Sequence, residues 1–274
     1  MSRGPERLRG DSVRFAEVEP FLHTRWVGKN FFHWECLDST NTQAKFLVQT
    51  TGCHGDVVVC EQQTQGRGRR GRSWLSMPEG GGLFFSVLLR PELPPHCAPE
   101  LTLVTAVALA KAIRGLGIEV WIKWPNDIQV GGKKLVGILT ELIADGKKTQ
   151  GVVVGIGMNL NGREEDFPEE LRGRATSLAV VSGKPHSKAF VLAMLLQHLE
   201  HWFDLYMREG FIPIAAEWTV LSSTLGRRVR VDLGNEVKEG EALHIHSSGA
   251  LVLRGDDGEL FSVLAGDVEH LRPA

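Results

Sequence analysis

Apolar runs separated by glycine-rich or polar breaks organise the chain from about residue 31 onward. NFFHWEC, DVVVCEQ (from Asp56) and GGLFFSVLLR have the length and the aromatic and β-branched content of strands, and the last is apolar enough to be a buried one. LDSTNTQAKFLVQ changes period. Asp38, Ser39, Thr40 and Asn41 are helix-capping types, and Ala44, Phe46, Leu47 and Val48 then suit a helix. APELTLVTAVALAKAIRGLG has apolar residues at helical spacing and stops at Gly115 and Gly117. EVWIKWPNDIQVGGKKLVGILTEL reads as two β-like runs around Gly131-Gly132, a hairpin signal, and TQGVVVGIGMNLNG as a further strand. REEDFPEELRGRATS is a loop region. SKAFVLAMLLQHLEHWFDLYMREGF predicts a long helix and IPIAAEWTVLSS a short one.

From about Thr224 the texture changes to short β runs broken by LGN, SSG and GDDG, which predicts a compact all-β module, a small barrel of about 50 residues. A core that small is marginal alone, so the module is expected to dock on the larger domain. The division expected is 1–222 and 223–274.

Composition narrows the class. With 42% apolar and 23% charged residues the chain reads as an ordinary globular protein, and a net charge of −2 gives no global attraction to nucleic acid. No apolar run reaches membrane-spanning length, and the start MSRGPERLRGD lacks the apolar segment of a signal peptide, which together predict a cytoplasmic protein without a membrane partner. Cys36, Cys53, Cys60 and Cys97 form no CxxC pair, so reduced, mostly buried thiols are expected. His198 and His201 lack a third ligand and are expected on a solvated helix face.

The chemistry concentrates in EQQTQGRGRRGRSW, from Glu61 to Trp74. Arg67, Arg69, Arg70 and Arg72 fall within six residues, spaced by Gly66, Gly68 and Gly71. Four guanidiniums repel one another unless an anion gathers them, and their bidentate donors suit a phosphate or a carboxylate. The loop is therefore expected to be mobile when empty and to order around an acidic ligand. GRGRRG also matches the dinucleotide fingerprint GxGxxG, but RSWLSMPEGGG follows where a helix would have to open. An arginine-glycine segment that binds RNA loosely is the reading from another functional class.

A second constellation lies on the predicted hairpin. With Gly131 and Gly132 in the turn, Gln129 lies opposite Lys134 and Asp127 is its diagonal neighbour, about 7–8 Å away on one face. Lysine can stabilise charge on a phosphate, while Asp127 and Asn126 can offer oxygens to Mg²⁺; a surface ion pair is the plain alternative. The polar residues of DSTN either only cap their helix or also present donors to a ligand. Gly155 and Gly157 allow close approach to their strand, and Asn159 ends it, as a ligand-facing amide or a turn former.

DSTN at Asp38, QTQGRGRRGRSW at Gln63, KWPNDI at Lys123, KKLVGIL at Lys133 and VGIGMN at Val154 resemble, in order, the motifs of the biotin protein ligases. The resemblance covers most of residues 36–160, and the β module is similar to that family's C-terminal domain. It implies an α/β catalytic domain with a mixed sheet and a small SH3-like barrel. It also implies a two-step reaction, in which biotin and MgATP give biotinyl-5′-adenylate and a lysine of a biotin carboxyl carrier protein then attacks it. Carried over by motif, Ser39, Thr40 and Gln63 hold the ureido ring, and Gly66, Arg67 and Arg69 lie along biotin and its adenylate. Lys134 is the central catalytic cation, with Arg67 beside it. Gly137 and Gly155 allow close backbone approach. Arg69, Arg70, Arg72, Trp74, Asn126, Asp127, Asn159 and Arg272 serve ATP, with Asp127 toward Mg²⁺. Some members carry an N-terminal DNA-binding domain; only about 37 residues precede DSTN, so no repressor function and no DNA partner are expected. A monomer and a homodimer both fit. Lipoate–protein ligase is the nearest competing enzyme, and Gln65 stands where the family often has a small residue.

Overall fold

The computed structural model describes residues 13–146 and 148–271, so Arg272 lies outside the described residues. A seven-stranded mixed sheet carries the larger part of the chain. Its strands are β1 (Phe31–Leu37), β2 (Val57–Gln63), β3 (Gly82–Leu89), β4 (Trp121–Lys123), β5 (Asp127–Val130), β6 (Lys133–Asp145) and β7 (Lys148–Asn159), in the order β1-β2-β3-β7-β6-β5-β4. Only β1 and β2 run parallel; every other neighbouring pair is antiparallel.

Helices cover both faces: α1 (Phe15–Val18), α2 (Thr40–Gln49), α3 (Ala98–Gly115), α4 (Leu178–Ser182), α5 (Lys188–Glu209) and α6 (Ile212–Leu221). On one face α2 buries Ala44, Leu47 and Val48 against Val58, Leu88 and Val153. On the other, α3, α5 and α6 share a large core with Val57, Val59, Val87, Val152 and Val154. Alternate residues of β2, β3 and β7 thus serve two cores, which is why these strands read as continuous apolar runs. α3 belongs to the helix Pro95–Gly115, which is apolar and long enough to cross a membrane by composition, against the sequence expectation; its most apolar stretch is mostly buried in the protein, as a core helix is.

The C-terminal segment forms a five-stranded antiparallel sheet of β8 (Arg228–Asp232), β9 (Val237–Ile245), β10 (Leu251–Arg254), β11 (Leu260–Val263) and β12 (Asp267–His270), ordered β11-β10-β9-β8-β12. The breaks LGN, SSG and GDDG fall between β8 and β9, β9 and β10, and β10 and β11. The module docks as expected: Val229, Leu251 and Leu253 join the core that contains α3. Trp124 N–H donates to Thr224 Oγ1 at 3.0 Å and its indole to the Gly249 carbonyl at 3.4 Å. One expectation fails on burial. Of the four free thiols only Cys60 is fully buried, and Cys36 and Cys53 are exposed because they sit on an edge strand and in a surface turn.

Candidate active site

The arginine loop folds back on itself as a small hairpin between β2 and β3. Gly68 N–H donates to Arg72 O at 2.7 Å and Trp74 N–H to Gly66 O at 2.8 Å, with Arg67 and Ser73 bridged between them. Its tip is a 3₁₀ turn, Arg69–Gly71, in which Arg70 and Gly71 have φ of 56° and 75°. Glycine takes that backbone freely, and arginine does so only under constraint. No helix opens after the glycines, so the dinucleotide fingerprint stays formal. Repulsion among the guanidiniums is met by the protein's own oxygens. Arg67 Nη1 lies 3.3 Å from Glu141, and Arg69 donates to Asn126 Oδ1 at 3.1 Å and to the Gly266 carbonyl at 3.2 Å. Asp267, at the start of β12, accepts from Arg70 at 3.2 Å and from Arg72 at 2.5 Å, and Arg70 also donates to the Asp232 carbonyl at 2.7 Å. Burial draws the Arg69 pKa below its ordinary value, against the pull of Asp267 and Asp127.

At one end of the cleft, the start of α2 meets the end of β2. The Ser39 hydroxyl caps the helix, accepting from Asn41 N–H at 3.3 Å, and Thr40 N–H donates to Gln63 Oε1 at 2.9 Å. Ser39 and Thr40 are nearly buried, yet both line the cleft, so capping and ligand contact are compatible here. Ser86, buried mid-strand in β3, donates to Asn41 Oδ1 at 2.6 Å. A Cβ on Gly155 would stand 1.9 Å from that same Oδ1. The close approach expected at this glycine is made by a side chain of α2.

At the other end the hairpin places Lys134 and Asp127 together. Gln129 pairs with Lys134 as predicted, but the register then slips, so that Ile128 pairs with Val136 and Asp127 with Gly137. The bulge takes up Leu135, which is buried in the core. Lys134 Nζ lies 2.7 Å from Asp127 Oδ1 and 5.3 Å from the centre of the Trp74 ring. The indole lies across a floor of glycines: Cβ atoms on Gly137 and Gly157 would each come within 2.5 Å of it. Its Nε1 is buried without a hydrogen-bond partner. Asn126 is fixed by its amide donating to Ile138 O at 2.8 Å. Lys123 faces the same carboxylate, its pKa lowered by burial, an effect that Asp127 opposes and Lys134 reinforces. Among the described residues no three His, Cys, Asp or Glu side chains cluster as a metal cage. One carboxylate beside a lysine fits a Mg²⁺ that arrives on a nucleotide and keeps most of its other ligands from phosphate and water.

These two ends open into one cavity of about 120 Å³. Of the residues singled out in the sequence, Ser39, Thr40 and Gln63 line it at the helix end, and Arg67, Arg69, Arg72 and Trp74 from the loop. Asn126, Asp127, Lys134, Gly137 and Gly155 line it from the sheet. Three others stand outside. Gly66 closes the hairpin, where a Cβ would stand 2.5 Å from the Trp74 carbonyl. Arg70 points to the C-terminal sheet. Asn159 ends β7 but is buried, its amide donating to Thr176 O at 3.1 Å. Sequence reasoning missed Ser86, Glu141 and Asp267. A serine amid the apolar run GLFFSVLL and a glutamate amid LTELI were the available signals for the first two.

The chain matches the Biotin/lipoate A/B protein ligase family over residues 34–159 and the Biotin protein ligase C terminal domain over residues 224–271. It is 37% identical, over 97% of its own length and 80% of the relative's, to the bifunctional ligase/repressor BirA of Bacillus spizizenii. To the biotin–[acetyl-CoA-carboxylase] ligase of Paracoccus denitrificans it is 36% identical, over 81% of this chain and 92% of that one. Its structure is similar to the biotin protein ligase from Aquifex aeolicus in complex with biotin and ATP. The TM-score is 0.77 at 31% identity, covering 89% of this chain and 100% of the other. With both halves matched in order, and with an arginine loop, a lysine–aspartate hairpin and a glycine floor meeting in one cleft, the chain belongs to the biotin protein ligase family.

Proposed function

We propose that the protein activates biotin with MgATP to biotinyl-5′-adenylate and then passes the biotinyl group to a lysine of a biotin carboxyl carrier protein. The observation that carries this reading is the single cleft, polar at the α2 end and cationic along its length, with Asp127 and Lys134 at the far end. Ser39, Thr40 and Gln63 offer donors and acceptors suited to a cyclic urea. Arg67 and Lys134 then stand where the acid's carboxylate would meet the α-phosphate, and Arg69 and Arg72 where the polyphosphate would extend.

In the first step a carboxylate oxygen bonds to the α-phosphorus and the bond to pyrophosphate breaks. Two anions must approach, so the protein's work is to position them and balance charge. Lys134 already has an anionic partner and exchanges it for the reacting phosphate without leaving a bare cation. Asp127, beside Asn126, would hold a Mg²⁺ bound with the nucleotide, which would supply further neutralisation of the phosphates. In the second step a lysine amine attacks the anhydride carbonyl, forming the amide and releasing AMP. Until then the loop excludes water from a hydrolysable intermediate. A cavity of about 120 Å³ is smaller than drug-sized ligands need, so the loop has to yield as substrates enter.

The test is pyrophosphate release from MgATP without carrier, with biotin and with lipoate as the acid. Release with biotin alone is expected. Release with lipoate instead would move the activity to the other acid of the family, and silence with both would end the reading. A cytoplasmic location and a monomer or homodimer belong to the same reading.

A further inference from the structure

We propose that Glu141 is the positioning residue that sets Arg67 over the acid end of the cleft, a role that rests on the biotin-ligase reading above. Glu141 lies on β6, seven residues beyond Lys134. In a regular strand that odd separation would put the two side chains on opposite faces. The bulge at Leu135 reverses the alternation, so Lys134 shares its face with Gly137, whose Cβ would lie 3.1 Å from Lys134 Cε, and the same face continues to Glu141.

Three groups meet on this carboxylate. Oε1 is 2.9 Å from Lys45 Nζ on α2 and 3.3 Å from Arg67 Nη1 in the loop, and Oε2 accepts from Asn41 Nδ2 at 2.8 Å. Asn41 is held in turn by Ser86 and by the absence of a side chain on Gly155. A chain of fixed groups therefore runs from the middle of the sheet, through the start of α2, to the arginine loop. Burial raises the carboxyl's pKa, but Lys45, Asn41 and Arg67 together hold it below the usual carboxylate range.

The charge balance gives the arrangement its purpose. A lone carboxylate beside Arg67 would cancel the positive charge that an incoming acid needs. Lys45 neutralises Glu141 from the other side, so the trio keeps one net positive charge and Arg67 is oriented without being silenced. Glu141 does not line the cavity. It acts through Arg67.

Glu141→Gln keeps an oxygen for Asn41 and removes the charge. In pyrophosphate release we expect the KM for biotin to rise about tenfold with kcat changed less than about twofold, the pattern of a lost interaction common to ground and transition states. In an Arg67→Ala background the same substitution should add less than about twofold, because the partner it orients is gone. Equal factors in both backgrounds would mean that Glu141 only pins α2 to β6, and the inference falls. Lys45→Met is the second variant, for use if Glu141→Gln does not fold. Stripped of its compensating cation, Glu141 should quench Arg67 and raise the biotin KM, again only while Arg67 is present. Wild-type protein that releases pyrophosphate with biotin, while E141Q and K45M match it, overturns this inference alone. Wild-type protein silent with biotin overturns the functional reading and the role of Glu141 with it.

Discussion

Trp74 and Lys134 divide the work at the scale of single residues. The indole rests on Gly137 and Gly157, and a methyl group on either would occupy its space. Gly157→Ala should push Trp74 off the sheet and, with it, the cation stacked at 5.3 Å. We expect adenylation to fall about tenfold or more by the misplacement of reacting groups, while the thermal midpoint changes little, as activity assays and melting curves on the same preparation would show. Lys134→Ala removes the charge itself. Its adenylation rate should drop roughly 100- to 1000-fold with a modest change in biotin affinity, as for other preorganised electrostatic donors. Equal loss of binding and rate, measured by titration and by rapid quench, would refute that role.

Elements explain what could be read in advance and what could not. β1, β2, β3 and the helices α2, α3, α5 and α6 were legible because one property, the spacing of apolar residues, determines each. The hairpin was legible from its two glycines, and Gln129 does face Lys134. The bulge was not: nothing local distinguishes Leu135, which leaves the ladder because the core beneath needs its side chain. Asp127 meets Lys134 on one face as the alternation implied, but from a register displaced by one residue, opposite Gly137. Asp267 was invisible for a related reason. It lies some 195 residues from Arg72, and only the docking of the C-terminal sheet brings the two together. The loop's expected partner was an external anion, whereas a carboxylate of the same chain holds two of its arginines. Asp267→Asn should loosen the tip, so trypsin should cut after Arg70 or Arg72 several-fold faster, and MgATP with biotin should restore protection. Unchanged digestion would mean that the backbone hairpin alone orders the loop.

Across the whole molecule, the joint between the two sheets carries a titratable group. His270, on β12 and 3.5 Å from Thr224 Oγ1, has its pKa pushed down to about 4 by burial, with Lys123 and Arg227 acting the same way. The folded protein thus prefers the neutral ring, whereas an unfolded histidine titrates near 6.5. This contribution is complete above about pH 6.5 and is lost as pH falls toward about 4, where the folded form must also take the proton. Partial exposure screens it, so the effect is smaller than the full shift implies. Urea unfolding of His270→Asn should be less sensitive to pH between 7 and 4.5 than that of the wild type; parallel curves would acquit this residue.

The grip of β12 on the arginine loop bears on how the protein can be taken apart. The C-terminal sheet, β8 to β12, looks like an appendix: a short all-β segment joined once to the larger one. But Gly266 and Asp267 hold Arg69, Arg70 and Arg72, so a wall of the cleft is fastened by β12, far along the chain from the loop itself. A chain emerging from the ribosome would complete its large sheet while this loop still lacked its clasp. Activity should therefore appear only after β12 has docked, and the two halves, expressed separately, should work only when mixed.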